Sequence, residues 1–306
     1  MKATSGRSPV RRPRQVAAHP RPERPADGPA ADFHVKFWGV RGSIPAPGAT
    51  TQRYGGNTPC VEVRCGGEML IFDLGSGVRA LGQAYRPPLK AHVFLSHYHY
   101  DHLQGMPFFT PLFIPQNEFT LYGPTRNGKT VQEILSGQMQ QPYFPVTAEM
   151  VFRARVEYRP FAQGSQVQIG AAKVTAVELN HPGGNLGYRV DYKGHSIVYA
   201  TDIEHGSGEV DARLAAFARD TDLLIYDAMY TEDEYCGRVG APKTGWGHST
   251  WQASIQAADR AQAKTLVLFH HEPTRDDAGM EKMLREVKRH RPEAVAAREL
   301  QVLNVV

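Results

Sequence analysis

The chain has 306 residues, of which 41% are hydrophobic, so it is long enough for one large layered domain or two small ones. Its mean hydropathy of −0.42 and its strand-length apolar runs argue against a membrane span. The formal net charge is only +4, and much of it lies in the first 32 residues, so the rest of the chain is close to neutral and does not indicate a nucleic-acid surface.

Residues 1–32 have the composition of a disordered basic tail. They contain seven Lys or Arg residues, three acidic residues and six prolines, without the apolar stretch that a secretory signal needs. We expect a solvated leader, with weak contact to nucleic acid or anionic lipid as the alternative, followed by a single domain over 33–306. Cys60, Cys65 and Cys236 form neither a ligand pair nor an even disulfide framework, which favours a cytoplasmic location.

Strand-like apolar segments recur along the rest of the chain, and helical patterns fall between some of them. The predicted strands are Phe33–Trp38, Val61–Val63, Met69–Phe72, His92–Leu95, Phe119–Tyr122, Val174–Leu179, Leu186–Asp191, Ser196–Ala200, Leu223–Tyr226 and Leu266–Phe269. The predicted helices are Val78–Tyr85, Thr130–Met139, Val210–Arg219, Trp251–Ala263 and Ala278–His290. Strands dominate the first half and alternate with helices later, which predicts an α/β architecture of two packed sheets with helices outside.

One hexapeptide, His97-Tyr98-His99-Tyr100-Asp101-His102, follows the fourth predicted strand and contains four potential metal ligands. On extended backbone, His97 and His99 leave the same face. Asp101 and His102 follow where the chain must turn, so they can address a second point nearby. The segment therefore predicts ligands for two adjacent metal ions.

Further ligand-type residues stand directly behind three later strands. His181 follows the sixth predicted strand, Asp202 follows the eighth, and His270 and His271 follow the last. Each of these residues taken alone is more often a satisfied surface or core residue. Their order behind the hexapeptide predicts one joint metal site, in which His271 competes with His270 for the last position.

The set His97-x-His99-x-Asp101-His102, His181, Asp202 and His270 resembles the metallo-β-lactamase superfamily, over roughly residues 33–306. This resemblance implies a four-layer αββα sandwich with the metal ions at the edge between the two sheets. The implied ligands are His97, His99 and His181 for one ion, Asp101, His102 and His270 for the other, and Asp202 as the bridge. Asp73, in a segment that resembles the family's strand-end aspartate and glycine turn, is implied to orient the hexapeptide.

A site for two metal ions predicts hydrolysis that needs no serine or cysteine nucleophile. Two ions about 3.5–4 Å apart lower the pKa of a shared water to about 7, so that hydroxide can attack a polarised electrophile. Zinc suits the mixed imidazole and carboxylate ligands, with manganese or iron as alternatives. Asp101 is then a catalytic as well as a ligating residue.

The segment Gly245–Thr250 contains His248 and resembles the Gly-His-Ser/Thr segment of tRNase Z-like phosphodiesterases. In that branch the histidine helps with the phosphate and the leaving oxygen, so His248 is implied to be catalytic. It precedes a predicted helix that Ser249 and Thr250 should cap, and a helix N-terminus favours an anion. The alternative is that His248 merely belongs to the capping region.

Two glycine-rich loops, 37–48 and 54–60, resemble the opening of a bacterial branch related to phosphoribosyl cyclic phosphodiesterase and tRNase Z. Arg41, Asn57 and Thr58 in these loops are candidate substrate contacts, with a purely structural role as the alternative.

Four aromatic residues in proline-rich segments, Phe108, Phe109, Tyr143 and Phe144, could form a pocket wall that stacks on a base, or could only cover a sheet edge. The stretch 103–247 lacks the long basic arm with which tRNase Z grips tRNA, so a small or cyclic phosphodiester is the expected substrate. A lactonase, β-lactamase or thioester hydrolase on the same metals is the main alternative, and a di-iron redox or oxygen-binding protein is another. The chain could also form a homodimer.

Overall fold

The computed structural model describes residues 31–205 and 212–305, so the predicted tail, except for its last two residues, lies outside the described part. Fourteen strands occur in that part. They are β1 Phe33–Gly39, β2 Cys60–Cys65, β3 Glu68–Phe72, β4 Lys90–Phe94, β5 Glu118–Gly123, β6 Arg155–Pro160, β7 Gln166–Ile169, β8 Ala172–Leu179, β9 Asn185–Tyr192, β10 His195–Ala200, β11 Leu223–Asp227, β12 Thr265–Phe269, β13 Val295–Ala296 and β14 Val302–Asn304. All ten predicted strands are confirmed, and β6, β7, β13 and β14 were not predicted.

Eight α-helices and two short 3₁₀ turns accompany the strands in the described residues. The helices are α1 Val78–Ala84, α2 Tyr100–Leu103, α3 Val131–Gly137, α4 Ala148–Val151, α5 Ala212–Phe217, α6 Glu232–Tyr235, α7 Trp251–Ala261 and α8 Asp277–His290. The 3₁₀ turns are Met106–Phe108 and Thr110–Phe113. The five predicted helices are confirmed, although the predicted start of α5 at Val210 lies outside the described residues. Thr250 caps α7 as expected, because its side chain accepts from the Ala253 N–H.

The strands form two seven-stranded mixed sheets. The first has the order β14-β1-β2-β3-β4-β5-β6 and the second β13-β12-β11-β10-β9-β8-β7. An apolar core lies between the sheets, where the ring of Phe72 is 5.5 Å from the rings of Phe94, Tyr188 and Tyr199. Separate apolar clusters join α1 and α3 to the outer face of the first sheet, and α5, α7 and α8 to that of the second. The predicted αββα sandwich is therefore confirmed.

The topology determines where polar strand ends meet. β10, β11 and β12 are parallel to one another, and β8 runs the same way because β9 is antiparallel to both β8 and β10. The carboxyl ends of these four strands consequently share one edge of the second sheet. The segment after β4 reaches this edge from the first sheet, since the Leu186 N–H donates to the Ser96 carbonyl over 2.9 Å.

None of the helices in the described residues is long and apolar enough to cross a membrane.

Candidate metal centre and active site

The hexapeptide after β4 presents its ligands in two directions. His97 and His99 lie on extended chain, and their rings approach to 4.5 Å. His99 is the N-cap of α2, so Asp101 and His102 fall within that short helix and are both buried. The change from extended to helical backbone inside six residues separates the two pairs, as the sequence predicted.

Two groups of ligand-type side chains converge at the sheet edge, with the ligand atoms inside each group lying within 4.8 Å of one another. The first group is His97, His99 and His181, and the second is Asp101, His102, Asp202 and His270. The first group combines the hexapeptide with a residue from the end of β8, and the second combines it with residues from the ends of β10 and β12. The structure thus brings together all seven residues that the sequence predicted as ligands.

Asp202 lies between the two groups. Its Oδ2 is 3.3 Å from His102 Nε2, 3.6 Å from His97 Nε2 and 4.0 Å from His181 Nε2. Its Oδ1 is 3.2 Å from His270 Nε2. One carboxylate therefore faces both groups.

Several buried ring nitrogens in these groups have no hydrogen-bond partner. They are His97 Nε2, His102 Nε2, both ring nitrogens of His181, and His270 Nδ1. Buried polar atoms are normally satisfied, and imidazoles that converge with carboxylates form the donor set of divalent transition metals. The residues present therefore fit bound divalent ions.

The carboxylates of the site are held in their charged form. Burial alone would raise the pKa of Asp202, but His270 and His102 beside it hold that pKa well below the usual value. Asp101 behaves in the same way, because His102 and His270 outweigh burial and lower its pKa. Both side chains are consequently available as anionic oxygen ligands.

Asp73 contacts the hexapeptide and the residue before it, where the resemblance implied an orienting role. Its Oδ2 accepts from His102 Nδ1, Ser96 Oγ and Tyr199 OH, each over 2.8 Å. Its Oδ1 accepts from the Ser96 backbone N–H. This bond to Nδ1 turns the other ring nitrogen of His102 toward the second group.

The structure distinguishes His270 from its neighbour. His270 Nε2 lies 3.2 Å from Asp101 Oδ2, whereas the ring of His271 points away and its Nε2 donates to the Ala297 carbonyl over 2.8 Å. Burial lowers the pKa of His271 to about 3, so this ring is neutral. Of the two candidates, only His270 faces the second group.

His248 lies against this edge together with a residue that the sequence analysis missed. Its Nδ1 is 2.9 Å from Oδ2 of Asp227, the last residue of β11, and its ring stacks on that of His270 at 4.9 Å. Burial would lower the pKa of His248, but Asp227 outweighs it and raises the pKa to about 9. The signal for Asp227 was present, because it follows an apolar strand just as Asp202 does. A third group, which overlaps the second, consists of Asp202, Asp227, His248 and His270.

Two glycines let backbone approach the ligand rings. A Cβ at Gly42 would lie 2.5 Å from Cε1 and Nδ1 of His270. A Cβ at Gly247 would lie 2.4 Å from Cδ2 of His181. The glycine-rich loop after β1 thus packs directly on a ligand of the second group, and its Ser43 N–H donates to Asp101 Oδ2 over 2.8 Å.

The structure favours the structural alternative over a substrate contact for Arg41 and Thr58. Arg41 is fully buried, and its guanidinium donates to the carbonyls of Gly55, Glu272 and Arg275. Thr58 is also fully buried, and its Oγ1 accepts from the Ser76 N–H over 2.8 Å. Neither side chain has a surface that a substrate could reach.

Asn57 is likewise engaged in structural contacts. Its Nδ2 donates to Glu299 Oε2 over 3.1 Å, and its Oδ1 accepts from Ser76 Oγ over 3.0 Å. These bonds tie the second glycine-rich loop to the chain near its end and to the turn before α1. A substrate contact by Asn57, which is half-buried, stays a prediction.

The four aromatic candidates separate into one core residue and three surface residues. Phe109 is buried against the ring of Phe119 at 5.4 Å, which favours the alternative that it only covers the sheet. Phe108 and Tyr143 are exposed, and Phe144 is half-buried with its ring 6.0 Å from that of Phe108. A substrate contact by these three stays a prediction.

Comparison with known proteins supports the interpretation of this geometry. The model of a family described as "Beta-lactamase superfamily domain" matches residues 71–271. The chain is 26% identical over 277 residues to a ribonuclease Z of Thermococcus gammatolerans, which covers 78% of this chain and 83% of that protein.

Two solved structures share the same fold. The short form of human tRNase Z has a TM-score of 0.63 at 23% identity and covers 89% of this chain and 99% of its own. A diphosphatase from the PhnP family has a TM-score of 0.64 at 20% identity and covers 89% of this chain and 97% of its own.

Proposed function

The chain belongs to the metallo-β-lactamase superfamily of metal-dependent hydrolases, and from that premise we propose that it hydrolyses a small or cyclic phosphodiester at a two-metal centre. We further propose that residues 33–306 act as one catalytic domain. The observation that carries the proposal is the pair of Asp227 and His248 beside the two ligand groups. Hydrolysis of a lactone or lactam ring does not need such a pair.

Within this proposal His97, His99 and His181 would hold one ion, Asp101, His102 and His270 the other, and Asp202 both. Zinc is the ion that best suits these ligands. Bound there, the ions would supply a water ionised near neutral pH and a Lewis acid for the phosphoryl oxygens. Exposed His99 lies on the side from which a substrate can enter.

The Asp227–His248 pair provides the proton that a departing alkoxide needs. His248 Nδ1 is hydrogen-bonded to Asp227 Oδ2, so Nε2 is the nitrogen that can donate to the leaving oxygen. The Asp227 carboxylate raises the pKa of His248, and this contact favours the protonated ring. Asp227 also accepts from the Ser249 N–H, which fixes the backbone next to the ring.

A small substrate is favoured over a tRNA precursor by the sequence between α2 and α7. The relative from Thermococcus gammatolerans is named a ribonuclease Z, but no long basic insertion occurs between Leu103 and Gly247 of this chain. Such an insertion would be needed to grip a large folded RNA by its phosphates.

The proposal is tested with protein of measured metal content against bis(p-nitrophenyl) phosphate, cyclic nucleotides, a 3′-extended tRNA and a set of lactones. We expect diester cleavage, with kcat lowered about 100-fold or more in Asp101→Ala and His248→Ala. His195→Ala is the matched control, because His195 begins β10 at the end opposite to Asp202. Opening of lactones without diester cleavage, or full activity of His248→Ala, would overturn the proposal.

A further inference from the structure

Trp246 is a large apolar side chain that stays 54% exposed two positions before His248. Lys243 Nζ lies 4.2 Å from the centre of its ring and 5.9 Å from the ring of Tyr230. The Tyr230 ring in turn meets that of His248 edge-on at 6.1 Å. A continuous set of contacts therefore leads from the exposed indole to the proposed proton donor.

The backbone on both sides of Trp246 is fixed by one carboxylate. Glu204 Oε1 accepts from the Gly245 N–H over 2.6 Å, and Oε2 accepts from the Gly247 N–H over 2.9 Å. The Tyr235 hydroxyl also donates to Oε1 over 2.7 Å. Because Glu204 stands two residues after Asp202, the loop that carries Trp246 is attached to the same strand end as the bridging carboxylate.

This loop also contacts the first ligand group directly. Gly247 packs so closely on His181 that there is no space for a Cβ between them. Trp246 is the residue before Gly247, and consecutive Cα atoms are about 3.8 Å apart. Its backbone therefore lies close to the ring of His181. Single exposed apolar residues are common, but this one is held on a fixed backbone at the rim of the site.

We propose that Trp246 and Lys243 form a stacking platform for a nucleobase attached to the phosphodiester, which deepens and rests on the proposed function above. Aromatic side chains stack on any base, because every base has a flat π-face. Lys243 lies over the indole, which keeps more than half of its surface exposed, and its ammonium group attracts the anionic ester. The substrate class is therefore a nucleotide diester, and the platform lies on the His248 side of the site.

Binding of two matched ligands to the metal-loaded protein tests this platform without requiring turnover. Adenosine 5′-monophosphate and ribose 5-phosphate carry the same phosphate and sugar and differ by the base. Calorimetry should show that Trp246→Ala weakens binding of the nucleotide about 5- to 100-fold, while ribose 5-phosphate changes less than about twofold. Trp246→Phe, which keeps a flat ring, should recover part of the loss.

Met150→Ala supplies the control, since Met150 is a large apolar side chain on α4 with a similar exposure of 59% and no predicted role in the site. It should leave the binding of both ligands unchanged. Equal binding of the two ligands by the wild-type protein, or an equal loss of both in Trp246→Ala, would overturn the platform. A base-dependent loss in a protein that cleaves no diester would support the platform and refute the proposed function, and diester cleavage with no base-dependent loss would do the opposite.

Discussion

Replacing Gly247 by alanine should damage the first ligand group through a single methyl group. Residue 247 has φ +86, and its Cβ would lie 2.4 Å from Cδ2 and 2.7 Å from Nε2 of His181 and 2.8 Å from Cδ of Pro182. The nearby Gly245 has almost the same backbone, φ +82, but a Cβ there would meet nothing within 4 Å. Comparing alanine at position 247 with alanine at position 245 therefore separates the cost of backbone strain from the effect of displacing His181.

The expected magnitudes follow from this difference. A Cβ on left-handed backbone costs about 1–2 kcal/mol, which lowers Tm by about 2–8 °C in a chain of this size. Both variants should show that loss of stability. Only Gly247→Ala must also move His181 by about 1 Å to reach ordinary contact distance, and a displacement of that size can lower kcat about 100-fold. Gly245→Ala should keep kcat within about threefold of wild type.

Three measurements on each variant decide the matter: kcat for bis(p-nitrophenyl) phosphate at fixed metal concentration, metal content by mass spectrometry, and Tm. Gly247→Ala should lose one of the two ions more readily than Gly245→Ala, because His181 belongs to one ligand group only. If Gly247→Ala kept wild-type kcat and metal content while its Tm fell as in Gly245→Ala, residue 247 would not position His181, and the reasoning would be refuted.

Further predictions concern the rest of the site. Asp227→Asn should lower kcat about 10²- to 10⁴-fold without loss of metal, because it removes the charge that keeps His248 protonated; loss of metal by the variant would instead make Asp227 a ligand. Gly42→Ala should weaken binding of one ion, since its Cβ would strike His270, whereas Gly67→Ala, with nothing within 4 Å, should not; equal metal content in the two variants would contradict this. Chelation should lower Tm by roughly 5–10 °C if the metal is present at about 100 times its Kd, and an unchanged Tm would argue against structural coupling of the ions. Arg41→Met should lower the free energy of unfolding by about 2–4 kcal/mol, because it leaves buried carbonyls without donors, and should leave KM unchanged; a raised KM would restore Arg41 as a substrate contact.

The sequence predicted the strands that are buried and missed those that are not. β4 and β12 read as apolar runs because the faces of both sheets are covered by packing layers. β6 is an edge strand with mostly exposed residues, so its composition of charged residues and proline gives no such signal. β13 and β14 have only two and three residues and depend on pairing with β12 and β1.

Residue types alone were a weaker guide in the glycine-rich loops. An arginine in such a loop suggests phosphate binding, but irregular backbone that is buried also leaves carbonyls that need donors. Arg41 donates to the carbonyl of Gly55 and, more than two hundred residues later in the chain, to those of Glu272 and Arg275. These contacts follow from the pairing of Arg41, just after β1, with His271, just after β12. No local pattern distinguishes the two uses of the side chain.

The directions in which several side chains of the site point depend on backbone conformations that the sequence does not show. Asp73, Asp202 and His270, and also Ser43 beside Asp101, have φ between +52 and +62, a region that residues other than glycine seldom adopt. A left-handed residue directly after a strand interrupts the alternation of side chains, which is why His270 enters the site and His271 turns to the Ala297 carbonyl. Each such conformation costs about 1–3 kcal/mol and persists only where neighbouring contacts hold it. For Asp73 those contacts are four hydrogen bonds from residues on β10 and in the hexapeptide loop, so the ligand geometry is a property of both sheets together.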